Sequence, residues 1–404
     1  MERAKRLWTQ YRDVVVLGAI AVPVGMAVGA IDAVFGRVLL AIGSFRDAHV
    51  LMLVPFLALA GLAIVFCYQR FGKNTGRGMG LVFDVGHGKE DEIPLRLVPL
   101  IMGGTWLTHL FGGSAGREGV AVQIGATLSH AIGRKLERWL PVHDLGNMFL
   151  LVGMAAGFAG LFRTPLAATL FAVEVLYVGR LQLHALFPAL TASLAASMTS
   201  GALGLEKFEV ALNAPLSLDP ATLALLVLVG AIFGIVGGAF AWCLAQAKAL
   251  AAKLLPNPYA RVGAIGAALS IVLLALWQGR YCGLGTNLIS AAFTDGQILP
   301  ADWVLKFALT VITLAAGYQG GEVTPLFSIG ASLGIVLADL LGLPAPLVAA
   351  LGYAAVFGGT TNTLLAPILI GCEVFGASYL PAFFIVCTTS YVCNANKSIY
   401  AQAK

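Results

Sequence analysis

GGSAGREGVAVQIG, residues 112–125, sets an arginine and a glutamate side by side among glycines, with apolar sequence on both flanks. A charge inside an apolar segment is costly and marks a functional position by default, so the surroundings of Arg117 and Glu118 decide how the chain is read. Those surroundings are a membrane. Of the 404 residues 59% are hydrophobic and only 11% charged, against roughly a quarter charged in soluble proteins. Apolar runs long enough to cross a ~30 Å hydrocarbon layer recur at 14–31, 50–68, 221–242, 262–277 and 364–392. The chain therefore reads as an all-α polytopic membrane protein, with one membrane domain over 1–404 and no extramembrane domain. Its longest polar stretches run only over 72–94 and 205–220.

The remaining totals narrow the possibilities. The basic start MERAKRLWTQYR precedes an apolar run longer than a signal-peptide core and has no small-residue cleavage site. It reads as a cytoplasmic anchor. The net charge of +5 then belongs to membrane topology, not to nucleic-acid binding. The six cysteines are scattered, which supports neither a disulfide framework nor a metal site, and no cofactor is expected. Glycines and prolines sit inside the apolar runs, as in transporters built from short, tilted and interrupted helices.

The chain also repeats itself. VGMAAGFAGLFRTPLAATLFAVEV (152–175) and LGYAAVFGGTTNTLLAPILIGCEV (351–374) agree at eleven of 24 positions without a gap, and Glu174 and Glu373 fall at the same place. GREGVAVQIG begins 36 residues before the first copy, and GGEVTPLFSIG begins 31 before the second. Two halves of about 1–205 and 206–404, each with a glycine-flanked glutamate ahead of an apolar helix, fit paired broken helices that meet near the midplane. Helices starting there would aim free N–H groups and positive dipole ends at the meeting place. That is an anion site without a fixed cation.

These residues resemble the CLC anion channels and transporters over nearly the whole chain. GSAGREG (113–119) is similar to the family's gating-glutamate motif, with Glu118 as the external gate. GGEVTP (320–325) is similar to its second anion-binding loop, with Val323 where phenylalanine is usual. GLGTNLI (283–289) resembles a third signature, and SIYAQ (398–402) resembles the final segment that supplies a central tyrosine, here Tyr400. The resemblance implies a fold of two inverted repeats with many tilted, broken helices, and a homodimer with one pathway per subunit. Two departures are informative. The first binding loop is GMGLV (78–82), with Met79 in place of the family's serine and no proline. Val175 stands where chloride/proton exchangers carry an inner proton-transfer glutamate. Both departures, together with Glu322 inside the second loop, resemble the fluoride-exporting branch.

The resemblance thus implies gating and proton transfer by Glu118 and Glu322. The anion-binding set comprises Gly78, Met79, Gly80, Gly116, Arg117, Gly119, Val323, Thr324 and Tyr400, with Phe83 beside the path. Glu118 serves as both halide mimic and proton carrier, a reading preferred to an ion pair with Arg117 because adjacent helix residues point apart. Glu322, when protonated, would donate a hydrogen bond to fluoride and take over the proton handling absent at Val175. The hydroxyls of Thr324 and Tyr400 are further donors. Glu174 and Glu373 read as structural, by capping or, for Glu174, by pairing with Arg180. His109 reads as a satisfied buried histidine. The expected function is export of fluoride in exchange for protons across a bacterial inner membrane, with both termini cytoplasmic. The alternative is a chloride or nitrate transporter or channel of the same fold. An enzyme is not expected, because the apolar segments hold no Ser–His, Asp–Asp or His-Glu-x-x-His arrangement.

Overall fold

Two helices far longer than a bilayer is thick open the two halves of the chain. Helix α1 (Glu2–Ala48) has 47 residues and α9 (Pro220–Leu254) has 35, or roughly 70 and 50 Å at 1.5 Å per residue. Lengths well beyond ~30 Å of hydrocarbon are accommodated by tilting. At the other extreme, α3 (Met79–Gly86) and α7 (Pro165–Glu174) have 8 and 10 residues and are too short to cross. The computed structural model describes residues 2–139, 144–214, 216, 218–294 and 296–403, with side chains from residue 14 onward.

Between these lie α2 (Leu57–Cys67), α4 (Leu97–Leu110), α5 (Glu118–Leu136), α6 (Leu145–Phe162) and α8 (Leu186–Ala202) in the first half. The second half continues with α10 (Pro258–Ala275), α11 (Thr286–Phe293), α12 (Asp302–Ala316), α13 (Val323–Leu341), α14 (Ala345–Thr361), α15 (Leu365–Phe375) and α16 (Leu380–Cys393). The packing of one half recurs in the other. Helix α5 lies along α6 as α13 lies along α14, and α1 packs on α6 and α8 as α9 packs on α14 and α16. Gly125 and Gly153 back onto each other between α5 and α6, and Gly330 and Gly352 do so between α13 and α14. A Cβ at any of the four would strike a facing carbonyl. Small residues let these helix backbones touch where no hydrophobic drive exists between helices in lipid. Helices α6 and α14 are buried on every side, as helices apolar all round should be.

The repeated glutamates hold the halves together. The Glu174 carboxylate accepts hydrogen bonds from the N–H groups of Leu364, Leu365 and Ala366, at 2.5–3.3 Å, at the start of α15. The Glu373 carboxylate accepts from Leu166 and Ala167, at 3.3 and 2.8 Å, at the start of α7. Each half thus caps the short helix of the other, and Glu174 turns to these amides rather than to Arg180. Two apolar runs prove to be interrupted. The run 364–392 breaks at Gly376, whose φ of +110° suits only glycine. The run 50–68 breaks at a short turn containing Pro55, which lacks the N–H a continuous helix needs.

Candidate anion-binding site

Helices α5 and α13 start face to face. Gly116 and Gly321 exchange backbone hydrogen bonds just ahead of the two starts, 2.5 Å from Gly116 N–H to the Gly321 carbonyl and 2.8 Å in return. Neither flanking residue, Arg117 or Glu322, caps its own helix with its side chain. Two helix starts elsewhere are served locally. Asp219 accepts from Ala221 and Thr222 at α9, and Asn257 accepts from Tyr259 at α10. The first turn of a helix leaves N–H groups without intrahelical partners, and the dipole adds partial positive charge there. Two such ends, pinned together without caps of their own, favour an anion.

That anion is Glu118. Its side chain is buried, and one carboxylate oxygen accepts the Thr324 N–H at 3.1 Å and a shorter bond from the Thr324 hydroxyl. The first half thereby caps the helix of the second. The other oxygen lies 3.5 Å from Arg117 Nε without a hydrogen-bond partner, and the Nε and Nη1 groups of Arg117 are likewise unpartnered. Arg117 and Glu118 therefore do approach each other, contrary to the expectation that neighbouring side chains diverge. The expectation failed because Arg117 precedes the helix, with φ −133°, so helical side-chain directions do not apply to it.

On one side of this junction lies a cavity of about 350 Å³. Gly78, Met79, Gly80 and Phe83 lie on the cavity wall, with Gly119, Gln123, Glu322, Lys248 and Tyr400 among the other lining residues. Gly78, at φ +53°, turns the chain into α3, another helix start without a side-chain cap. Met79 is half-buried at its first turn. Phe83 stacks on the Tyr400 ring with centroids 5.2 Å apart. The Tyr400 hydroxyl is buried without a partner among the described residues, an exception that asks for an explanation. The Glu322 carboxylate reaches the edge of Gly119, where a Cβ would stand 3.7 Å from Oε2.

The structure thus gathers the residues anticipated from sequence, with distinctions among them. Gly78, Met79, Gly80, Phe83, Gly119, Glu322 and Tyr400 face the cavity. Glu118 and Thr324 clasp each other away from its lining, Gly116 and Arg117 support that clasp, and Val323 is packed in the core. Gln123 and Lys248 are among the cavity residues that escaped the sequence reading. Gln123 donates to the Gly119 carbonyl at 3.2 Å, and its helical i+4 spacing from Gly119 was visible in the stretch 112–125. Lys248 comes from α9, and nothing local pointed to it.

Comparison with known proteins agrees with this geometry. The profile described as voltage gated chloride channel matches residues 60–395. A chloride/fluoride channel protein of Pseudomonas syringae pv. tomato is 36% identical over 392 residues, 95% of this chain and 85% of its own. The crystal structure of a CLC-type fluoride/proton antiporter superimposes with a TM-score of 0.94 at 50% identity, covering 98% of this chain and 99% of that one. A slow cyanobacterial chloride/proton antiporter, at 20% identity and TM-score 0.78 over 94% of each chain, shares the fold.

Proposed function

The chain belongs to the voltage gated chloride channel family, the CLC proteins, and from that premise we propose that it exports fluoride in exchange for protons. One observation carries the reading: a glutamate carboxylate occupies the amides and hydroxyl at the meeting of two uncapped helix starts. A seat that satisfies a carboxylate also suits a small anion, so Glu118 and fluoride compete for it. Protonation weakens the carboxylate's claim on an N–H and a hydroxyl donor. The released acid carries its proton away from the seat while fluoride takes its place, and the two flows become opposed.

Fluoride reaches the seat through the cavity. There the Tyr400 hydroxyl and a protonated Glu322 are the donors, and the N–H groups at the start of α3 are a third source. Gly116, Arg117 and Val323 shape the seat from behind, and Gly119 shapes it from the cavity side. Met79 offers a thioether, a weak acceptor, where a hydroxyl would suit chloride. This disfavours simple chloride coordination. The reading places the two repeats at about 1–205 and 206–404, supported by the recurring helix pairings. It also places the protein as a homodimer in a bacterial inner membrane, with both termini cytoplasmic. Exposed Phe187, Leu194 and Met198 on α8, with Leu380, Phe384 and Val392 on α16, offer apolar area for lipid or a second copy.

The test is transport by purified protein in liposomes loaded with fluoride or with chloride, following anion efflux and proton uptake together. Fluoride efflux with matched proton uptake and little chloride flux is expected. Chloride carried equally well would favour the chloride reading, and anion flux without protons would indicate a channel.

A further inference from the structure

Lys306, on α12, has no exposed surface. Its ammonium donates to the Gly283 carbonyl at 2.7 Å, the Ser114 hydroxyl at 2.9 Å and the Tyr281 carbonyl at 3.1 Å. An ammonium has three donors and no acceptor, and here each donor meets an acceptor. None of the three acceptors is itself charged. Asp302, one turn earlier on α12, is engaged by Arg280 and Tyr281. Arg46 of α1 reaches the same region, with its own bonds to Asp47 and to the His109 carbonyl. His109 of α4 turns its ring nitrogens to the carbonyls of Thr105 and Ala115, and Cys282 adds a thiol. Among the described residues no carboxylate forms an ion pair with Lys306.

What Lys306 grips is the segment that carries the gate. Ser114 stands four residues before Glu118, and neutral bonds already hold that segment. Ser114 N–H donates to Thr313 Oγ1 at 3.3 Å, the Ser114 and Thr310 hydroxyls meet at 2.9 Å, and Ala115 N–H donates to Gly283 at 3.3 Å. A clamp alone needs no charge, and a buried unpaired charge is expensive. What the ammonium adds is a positive charge in a medium of low dielectric, where charges interact strongly.

We infer that Lys306 is a positioning residue for transport, whose buried, unpaired ammonium clamps the Ser114 end of the gate segment and supplies the field that retains an anion where α5 and α13 meet. The inference rests on the reading of that meeting place as the anion seat and of Glu118 as the gate. Bound fluoride and the Glu118 carboxylate are favoured by the same charge.

The experiment uses the full chain, with fluoride binding followed by calorimetry and proton-coupled fluoride efflux followed across pH in liposomes. K306Q keeps donors for the carbonyls and loses the charge. T310D keeps Lys306 and neutralises it with a carboxylate beside Ser114, a second route should K306Q fail to assemble. S114A keeps the charge and removes one bond. Both neutralised variants should bind fluoride measurably more weakly. They should also reach half-maximal transport at higher pH, because less positive potential makes the gate easier to protonate. S114A should lose less than either. Parent affinity and pH profile in a folded K306Q or T310D would overturn the inference, as would S114A reproducing their losses. E118Q with intact proton coupling would instead sink the gate reading, and the calorimetric comparison would still decide the role of Lys306.

Discussion

Tyr400 and Glu322 face the same cavity with opposite debts to the protein around them. The Tyr400 hydroxyl has no partner among the described residues, so its removal disturbs no bond seen there, while the stacking of its ring on Phe83 survives in phenylalanine. Y400F should therefore fold with parent stability and bind fluoride about tenfold more weakly, the loss of one hydrogen bond to a charged group, as read by calorimetry. Glu322 is a carboxyl whose ionised form would repel the anion it meets. E322Q should still bind fluoride, because an amide also donates, yet lose proton-coupled transport because an amide carries no proton across the cycle. Proton uptake matching fluoride efflux in E322Q liposomes would count against that role. At this scale most of the site was legible in the sequence, since GREG, GGEVTP and SIYAQ each announce their residues. The contact of Thr324 with Glu118 was not, because it joins residues 206 apart and depends on how two helix starts are aimed.

At the scale of helices, the exchange of caps between halves sets a ranking. Removing a capping side chain costs about 0.5–2 kcal/mol, and a carboxylate at a helix start adds its interaction with the dipole. Glu174 serves three amides and Glu373 two. E174A should accordingly lower the thermal unfolding temperature in detergent more than E373A, with fluoride affinity unchanged in both. Equal stability of the two variants and the parent would show that these bonds contribute nothing net. The repeat alignment paired these two glutamates correctly, but each is capped onto the helix of the opposite half, which no local pattern encodes. Helix breaks behaved likewise. Gly376 and Pro55 were visible as letters, yet a glycine or proline in an apolar run also occurs in unbroken membrane helices. Only packing fixed which ones interrupt.

Across the whole molecule, the two halves meet through like ends of their dipoles. Helix starts turned toward each other, with Gly116 and Gly321 bonded between them, repel unless negative charge lies at the junction. In this structure the Glu118 carboxylate is that charge, contributed by α5 and held by Thr324 of α13. On the proposed reading, a seat that must stay occupied couples two flows, because the carboxylate would leave as an acid when an anion replaces it and return as the anion departs. E118Q tests that coupling. Glutamine has the shape of the protonated gate and cannot ionise, so it should not compete with fluoride for the seat. Liposomes carrying E118Q should release fluoride down its gradient with no accompanying proton uptake, and an imposed pH gradient should no longer drive fluoride uphill. If E118Q still pumped fluoride against its gradient at the expense of protons, the proton would have to travel on another group. The meeting of α5 and α13 would then be an anion seat without a gate.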